Sequence, residues 1–428
     1  MEIILKVAVL SMRGQCLMPC SPRKARVLLR EKKAVVKQKS PFTIQLTIPT
    51  GETKQEVTLG VDAGSKHIGI SVTTAKTELF ASEVELRQDV TGLLADRRAL
   101  RRSRRARKTR YRAPRFNNRV HSKHKGWLAP SIENHIQAHL SRIEAVLKLF
   151  PVTKIVVETA SFDIQKIKNP AITGNGYQQG ELLDFFNLRE YILWRDNHTC
   201  QHCKGKSKDK VLQVHHLESR RTGGNATNNL ITLCKTCHEK SHTGEITLNI
   251  KRGRSFKDAA FMNIMRPAFV ARLRKAHPGM LIEETYGYIT KYQRIKLKLP
   301  KTHCADAFCI AGNLHATRSD VYLYQKQTRK HNRQIHKVNA IKGGIRKLNQ
   351  APYIVKGFRL FDKVKCFGKK CYGKEGFIMG RRQDGGFDIR TIDGQHISKS
   401  VSPKKLKLIE KRKTFLTAIK KEGASSPV

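Results

Sequence analysis

The sequence has few acidic residues and no long apolar run. Its 428 residues hold 34 Asp and Glu against 84 Lys and Arg, which gives a formal net charge of +50. Self-repulsion of this size opposes compaction, so we expect a polyanionic partner whose phosphates offset the charge. No apolar run approaches the roughly 20 residues that cross a bilayer, so we expect neither a membrane-spanning segment nor a membrane partner.

Features of secreted proteins are also scarce. Residues 1–14 contain one early lysine and no small-residue cleavage pattern, so the sequence predicts no secretory signal and a cytoplasmic location. Four of the ten cysteines stand in two CxxC pairs, and a chain of this length needs no disulfides to stabilise its core. A reducing compartment and one metal site are therefore expected.

Local patterns predict a multidomain α/β chain, with two to four domains for a chain of this length. Residues 56–80 have the pattern of a β-hairpin, and the glycines in its strands imply close approach by another part of the backbone. Short strands with glycine turns fill the last hundred residues and are typical of a small β-barrel. The other predicted features are a turn at 18–22, helices at 24–33, 132–150 and 181–197, strands at 42–48 and 154–158, and a linker over 163–190.

The most unusual local feature is a basic segment from Arg97 to Lys125, which holds 14 Lys or Arg and no Asp or Glu. Its first half favours a helix on which the arginines occupy adjoining faces. A solvated charge run would normally mix signs, so we interpret the segment as a helix that lies against nucleic-acid phosphates. The predicted contacts are Arg97, Arg98, Arg101, Arg102, Arg104, Arg105, Arg107 and Lys108.

Two CxxC knuckles stand 30 residues apart. Four thiolates in this arrangement suit tetrahedral Zn²⁺, and a site closed by four protein ligands is structural rather than catalytic. We therefore predict a structural zinc site. Its ligands are Cys200, Cys203, Cys234 and Cys237.

A histidine-rich set lies between and beside the knuckles. His215 and His216 end a predicted strand, Asn229 follows, and His238 adjoins the last cysteine. Such residues can hold one divalent cation beside one free imidazole. This arrangement suits phosphodiester cleavage, because the imidazole can deprotonate water. For His238, packing on the zinc site is the alternative.

Three carboxylates come from separated segments. Asp62 lies in a glycine-flanked strand, Glu158 ends an apolar strand, and Asp306 lies on a predicted helix. His303 precedes Asp306 by three residues and so shares its helical face. The carboxylates could hold two Mg²⁺ ions about 4 Å apart, with His303 activating water or aiding product departure.

The pattern HH…N…H between zinc knuckles resembles the HNH, or ββα-metal, nucleases. This resemblance implies that His216 is the general base, that His215 and His238 bind Mg²⁺ or Mn²⁺, and that Asn229 orients the site. The segments GVDAG, IVVETASFD and HCADAFCIAG resemble a split RuvC-type RNase H-like nuclease domain. The Mg²⁺ or Mn²⁺ ligands implied there are Asp62, Glu158 and Asp306.

The order of these parts resembles the IscB family of transposon-encoded, RNA-guided DNA endonucleases. At the amino terminus, Cys16-Leu17-Met18-Pro19 departs from the family's Pro-Leu-Met-Pro motif at its first position. The implied layout is an N-terminal domain (1–54), RuvC segment I (55–92), an arginine-rich bridge helix (93–126), RuvC segment II with a linker (127–180), an inserted zinc-containing HNH domain (181–245), RuvC segment III (246–320) and a C-terminal β-rich, barrel-like region that contacts RNA and the target-adjacent motif (321–428).

The resemblance also implies an activity and its partners. A monomeric protein would bind one long structured guide RNA in the prokaryotic cytoplasm, at the nucleoid, and cut double-stranded target DNA. The HNH site would cut the guide-paired strand and the RuvC site the displaced strand. Two alternatives stay open, which are a protein-only DNA endonuclease of the junction-resolving or homing type and a guide-RNA-binding protein that does not cut.

Overall fold

A computed structural model describes residues 6–106, 126–159, 163–219, 223–253, 256–329, 352–369, 371–382 and 385–422. These residues divide into two compact units. Unit 1 is drawn from Met1–Ala160 and Ile264–Val428, and unit 2 from Ser161–Asn263. Unit 2 is thus longer than the HNH domain predicted at 181–245. No helix within the described ranges is long and apolar enough to cross a membrane.

Unit 1 begins with a small sheet and one helix. The elements are β1 (Val7–Leu10), β2 (Cys16–Cys20), α1 (Pro22–Arg30), β3 (Ala34–Gln38) and β4 (Thr43–Leu46). The strand order is β2-β1-β4-β3. The predicted turn at 18–22 is wrong, because β2 continues to Cys20, which pairs with Val7. The helix starts directly afterwards, where the Ser21 hydroxyl accepts from the Lys24 N–H at 3.2 Å.

A large mixed sheet forms the centre of unit 1. Its strands are β5 (Thr58–Ala63), β6 (His67–Thr73), β7 (Glu78–Glu85), β8 (Lys154–Glu158), β11 (Leu281–Thr285), β12 (Val321–Gln327) and β20 (Phe415–Lys421). Their order is β11-β8-β5-β6-β7-β12-β20. Pairing is antiparallel through β5-β6-β7 and between β12 and β20, and parallel elsewhere. The predicted hairpin is confirmed as β5 and β6, and the strand at 154–158 as β8. The predicted C-terminal region also supplies two strands, β12 and β20, to this sheet.

Besides α1, five described helices have residues in unit 1. They are α2 (Val90–Ala106), α3 (Pro130–Leu147), α7 (Lys257–Ala276), α8 (Gly287–Lys296) and α9 (His303–Ala311). Helix α9 packs on β5 and β6. A Cβ atom on Gly60 would lie 2.1 Å from the Ala307 carbonyl oxygen, and one on Gly69 would lie 2.0 Å from that of His303. The close backbone approach expected at these glycines is therefore confirmed.

The chain after β12 is rich in short strands. They are β13 (Ile354–Val355), β14 (Phe358–Arg359), β15 (Lys363–Cys366), β16 (Glu375–Arg381), β17 (Phe387–Arg390), β18 (His396–Val401) and β19 (Leu406–Glu410), with a 3₁₀ turn at Pro403–Lys405. The last five of these strands form a sheet of order β18-β17-β16-β15-β19 around buried Val364, Ile378 and Phe387. This sheet has β18 and β19 as its edges in the described residues, so a closed barrel stays a prediction.

Unit 2 is built on a hairpin followed by a helix. Its elements are α4 (Ile164–Lys168), a 3₁₀ turn (Gly174–Gln178), α5 (Leu188–Arg195), β9 (Leu212–His216), a 3₁₀ turn (Thr227–Asn229), β10 (Leu230–Cys234) and α6 (Lys235–Thr243). Strands β9 and β10 pair antiparallel. The helix predicted at 181–197 begins only at Leu188, because the Asn187 side chain accepts from the Glu190 N–H at 3.0 Å and caps it there.

Candidate active sites

The ββα arrangement of unit 2 brings three histidines together. His215 lies at the end of β9, and His238 and His242 lie on successive turns of α6. The ring centroids of His215 and His238 are 5.1 Å apart, those of His238 and His242 are 4.6 Å apart, and one ligand nitrogen from each residue lies within 4.8 Å of the others. His238 therefore groups with His215 rather than with the cysteines. His242 was not predicted, and its four-residue spacing from His238 is the signal that would have found it.

The surroundings of two histidines in this cluster disfavour their protonated forms. Burial, followed by repulsion from His238 and His242, lowers the pKa of His215 to about 4. Burial and the neighbouring His242 also lower the pKa of His238. Neutral imidazoles offer lone pairs to a metal. Three nitrogen donors fit Zn²⁺ and similar transition ions better than Mg²⁺ or Mn²⁺, which prefer oxygen.

His216 and Asn229 lie beside the cluster in different surroundings. The His216 Nε2 atom is 3.1 Å from the Asn225 Oδ1 atom. Asn229 is fully buried, and its Nδ2 atom donates to the carbonyl oxygens of Glu218 and Gly224 at 3.0 and 2.9 Å, while its Oδ1 atom accepts from the Glu218 N–H at 2.9 Å. Asn229 thus holds both ends of the loop that follows the histidine pair, which agrees with an orienting role.

The four predicted zinc ligands converge in unit 2. The Sγ atoms of Cys200, Cys203, Cys234 and Cys237 lie within 4.8 Å of one another, and those of Cys203 and Cys234 are 3.9 Å apart. Tetrahedral zinc with bonds of about 2.3 Å requires sulfur atoms about 3.8 Å apart, so the cluster fits zinc. All four are free thiols, and Ile231 and Leu233 pack against them. A zinc site closed by four protein ligands would be structural rather than catalytic.

The residues of the predicted carboxylate site lie in unit 1. Strand β5 carries Asp62, the parallel β8 ends at Glu158, and the first turn of α9 carries His303 and Asp306. The His303 Nδ1–H donates to the Asp62 Oδ2 atom at 2.7 Å. The structure therefore brings residues from three distant segments to one end of the adjacent strands.

Each acid of this site also has a basic partner. Asp62 accepts from His303, an Arg266 Nη2 atom lies 3.6 Å from the Glu158 Oε1 atom, and the Arg294 Nε atom lies 2.9 Å from the Asp306 Oδ1 atom. In the described residues, the three carboxylates do not close into a cluster as tight as those of the histidines and cysteines. Neither arginine was predicted, because nothing in their local pattern distinguishes them from the many other basic residues.

The pKa values of the acids report their mutual repulsion. Burial and the negative charge of Asp62 raise the pKa of Glu158 despite Arg266, and the same two causes raise the pKa of Asp306 despite Arg294. Burial lowers the pKa of His303, but the hydrogen bond and charge of Asp62 outweigh it and raise the value. A divalent cation between the acids would relieve this repulsion, and carboxylate oxygens are the donors that Mg²⁺ and Mn²⁺ prefer. The donor set therefore fits the predicted metals.

His67 and Glu83 form a second group beside His303, and the His67 ring contacts the His303 ring. The His67 ring stacks on the His303 ring with centroids 5.0 Å apart and planes inclined by 6°, and the His67 Nδ1 atom is 3.0 Å from the Glu83 Oε1 atom. The three residues offer ligand atoms within 4.8 Å of one another. Parallel stacked rings do not direct their lone pairs at a common point, so this group fits a support for the His303 ring better than a metal site.

The predicted basic helix is confirmed as α2 as far as residue 106. Arg97, Arg98, Arg101 and Arg102 are exposed on it, at spacings that place them along one side. Arg104 and Arg105 lie within α2, and their side chains are outside the described part of the structure. Arg107 and Lys108 lie outside the described residues altogether.

Two family models match parts of the chain. Residues 200–244 match the HNH endonuclease family, and residues 7–180 match the RRXRR protein family. The first match covers the cysteine cluster, the three histidines, His216 and Asn229. The chain thus carries an HNH endonuclease domain, and the predicted enzyme class is confirmed as a nuclease, a metal-dependent hydrolase.

Solved structures of Streptococcus thermophilus Cas9 also align with the chain. The complex with the AGGA PAM is 14% identical, covers 60% of this chain and 33% of its own, and has a TM-score of 0.33. The complex with the AGAA PAM is 11% identical, covers 59% and 32%, and has a TM-score of 0.32. The chain spans about a third of the length of these proteins. No curated protein matches the chain.

Proposed function

We propose that this chain is an RNA-guided DNA endonuclease of the Cas9/IscB type, and of the IscB family in particular. The observation that carries the proposal is the presence of two candidate nuclease sites with unlike donor chemistry. Unit 2 offers a cluster of three histidines with the His216 imidazole outside it. Unit 1 offers three carboxylates, one of which is hydrogen bonded to the His303 imidazole. An enzyme that must cut two chemically distinct strands, one paired with RNA and one displaced, has a use for both.

The sheet of unit 1 supports a RuvC-type domain. Its first five strands in the chain are β5, β6, β7, β8 and β11, and they lie side by side in the order β7-β6-β5-β8-β11, or 3-2-1-4-5 in chain order. Neighbouring strands pair antiparallel from β5 to β7, and β8 and β11 run parallel to β5. This is the arrangement of an RNase H-like sheet. The acids lie on the first strand, the fourth strand and a later helix, which agrees with the three segments expected from the sequence.

In the HNH site, we assign the proton transfer to His216. Its imidazole would take the proton of the attacking water, while Asn225 fixes the orientation of the ring. A divalent ion held by His215, His238 and His242 would stabilise the charge that develops on the phosphate. The all-imidazole donor set leads us to propose a transition ion such as Zn²⁺ or Ni²⁺ here, where Mg²⁺ or Mn²⁺ was the first expectation.

In the carboxylate site, Asp62, Glu158 and Asp306 would hold Mg²⁺ or Mn²⁺, which polarises the attacking and leaving oxygens. His303 donates to Asp62 through Nδ1, which leaves Nε2 as the atom that can exchange a proton with water or product. Arg266 and Arg294 balance the negative charge of the acids when no metal is bound.

The partners follow from charge. The excess of basic residues and the exposed arginines of α2 support binding of a long RNA and of DNA through their phosphates. We propose a complex of one chain with one guide RNA.

RNA dependence is the first test. The purified protein should retain one long RNA, and treatment with ribonuclease should abolish cleavage of a matched DNA duplex, because base pairing with the guide carries the recognition. Cleavage that survives complete removal of RNA would instead support a protein-only endonuclease. RNA binding without any cleavage would support the non-cutting alternative.

Division of labour between the sites is the second test. Asp62→Ala should stop cleavage of the displaced strand and spare the guide-paired strand, because it removes a ligand of the carboxylate site only. His216→Ala should have the opposite effect. Strand-specific labels on the duplex report both cuts, and loss of both cuts in either variant would contradict independent sites.

A further inference from the structure

Two exposed tyrosines flank the carboxylate site. The side chains of Tyr286 and Tyr288 are 55% and 73% exposed, although tyrosine usually buries much of its ring. Their ring centroids are 6.0 Å apart and their planes are inclined by only 12°. The pair therefore presents a flat, nearly parallel aromatic surface to solvent.

The backbone between the two tyrosines lies against Glu158 of the carboxylate site. Gly287, between the two tyrosines, approaches Glu158 so closely that a Cβ atom would lie 3.2 Å from the Oε1 atom. One turn further along α8, the hydroxyl of buried Thr290 donates to the Tyr286 carbonyl oxygen at 3.5 Å, and Thr290 partly offsets the raised pKa of Glu158. The chain leaves β11 at Thr285 and enters α8 at Gly287, so the tyrosines lie on a short junction whose backbone approaches Glu158.

We infer that Tyr286 and Tyr288 form a stacking site for the unpaired bases of single-stranded DNA at the carboxylate site. The inference rests on the proposed function, because it takes the strand that enters this site to be the displaced one. Aromatic rings stack on any base, so such a site orders a strand without reading its sequence. Exposed Lys291 and Lys296 on α8 add positive charge for the phosphates.

The role differs from that of the acids. The tyrosines position the strand, and they take no part in proton transfer or metal binding. A duplex offers no free base faces within its stack, so the site favours single strands. A protein surface or a second copy of the chain would contact the same rings without any preference for unpaired bases.

The test measures binding of oligonucleotides to the full-length protein in a buffer without added Mg²⁺ or Mn²⁺, which prevents cleavage at the carboxylate site, keeps the structural zinc in place and needs no guide. A single-stranded oligonucleotide that contains 2-aminopurine should show quenched fluorescence on binding, because a stacked base is quenched. The variant with both Tyr286→Leu and Tyr288→Leu should lose this quenching and bind about tenfold more weakly, which is the effect of losing one stacked base.

The matched control is the variant with both Tyr286→Phe and Tyr288→Phe, which keeps the rings and should bind and quench as the original protein does. Unchanged quenching in the leucine variant would overturn the inference. Equal loss in the phenylalanine variant, or equal quenching with duplex DNA, would also overturn it, as would a change of oligomeric state in the leucine variant seen by sedimentation. Because the assay needs neither RNA nor cleavage, its failure is distinguishable from failure of the proposed function.

Discussion

Histidine takes different roles in this protein because its surroundings differ. His139 on α3 is fully buried, and its Nδ1–H donates to the His135 carbonyl oxygen at 2.8 Å. Burial lowers the pKa of His139 to about 4, so it stays neutral. His303 is only partly buried, and its carboxylate partner Asp62 raises its pKa. One residue type thus serves as a neutral core group and as the hydrogen-bond partner of an acid.

The neutral state of His139 predicts a pH dependence of stability. The folded pKa lies below the unfolded value of about 6.5, so the unfolded chain binds the proton first as pH falls. The stability is complete above about pH 6.5 and is lost as pH falls toward 4, by an amount on the order of 3 kcal/mol. Urea unfolding of the protein should show this loss, and His139→Gln should reduce its slope. Exposed His315, changed to Gln, is the control, and an equal slope in the His139 variant would contradict the prediction.

At the scale of elements, the carboxylate site depends on how closely α9 approaches β5 and β6. The approach is possible only because Gly60 and Gly69 have no side chains, as the distances of 2.1 and 2.0 Å from their hypothetical Cβ atoms to helix carbonyl oxygens show. The neighbouring atoms are backbone, which cannot rotate away. Two glycines in strands therefore determine where His303 and Asp306 stand.

Gly69→Ala should displace α9 from the sheet. We expect the free energy of unfolding to fall by about 1–3 kcal/mol, as in other overpacked cores, and displaced-strand cleavage to fall far more than cleavage of the guide-paired strand. Thermal unfolding and strand-specific cleavage measure these effects. Gly92→Ala on α2, where a Cβ atom has open space, is the matched control. An unaltered displaced-strand rate in the Gly69 variant would show that the helix does not need this contact.

At the scale of the whole molecule, the two units reach stability in different ways. Unit 1 buries large side chains such as Phe150, Phe269 and Phe308. The core of unit 2 consists mainly of the cysteine cluster with Ile231 and Leu233. A small core of this kind depends on its metal, because the binding free energy of zinc is then folding free energy.

Cys200→Ser should therefore release zinc and unfold unit 2 while unit 1 stays folded. The expected readouts are loss of protein-bound zinc, faster hydrogen exchange in residues 161–263, and loss of guide-paired strand cleavage with retention of the other cut. Half-buried Cys20, changed to Ser, is the control because it lies outside the cluster. Full zinc content in the Cys200 variant would refute the assignment.

Much of the local structure could be predicted from the sequence. The strand at Lys154–Glu158, the hairpin of β5 and β6, and the cysteine and histidine spacings depend on neighbours a few residues apart, and alternation and spacing record such contacts directly. The two wrong element boundaries lie where a second local signal competes with the pattern on which the prediction was based. Asn187 caps a helix that the hydrophobic pattern would start earlier, and Cys20 pairs in a strand where the neighbouring prolines and serine indicate a turn.

The sequence by itself determined the chemistry of this protein, since its thiolates, imidazoles, carboxylates and basic excess are properties of composition and spacing. Only the tertiary structure decided which of these groups meet. Arg266 and Arg294 became partners of the acids, Tyr286 and Tyr288 came to flank Glu158, and the carboxyl-terminal strand β20 joined a sheet that begins near residue 58. These contacts join residues far apart in the chain. They form because burial of shared surface offsets the entropy of closing long loops, a balance that no local pattern records.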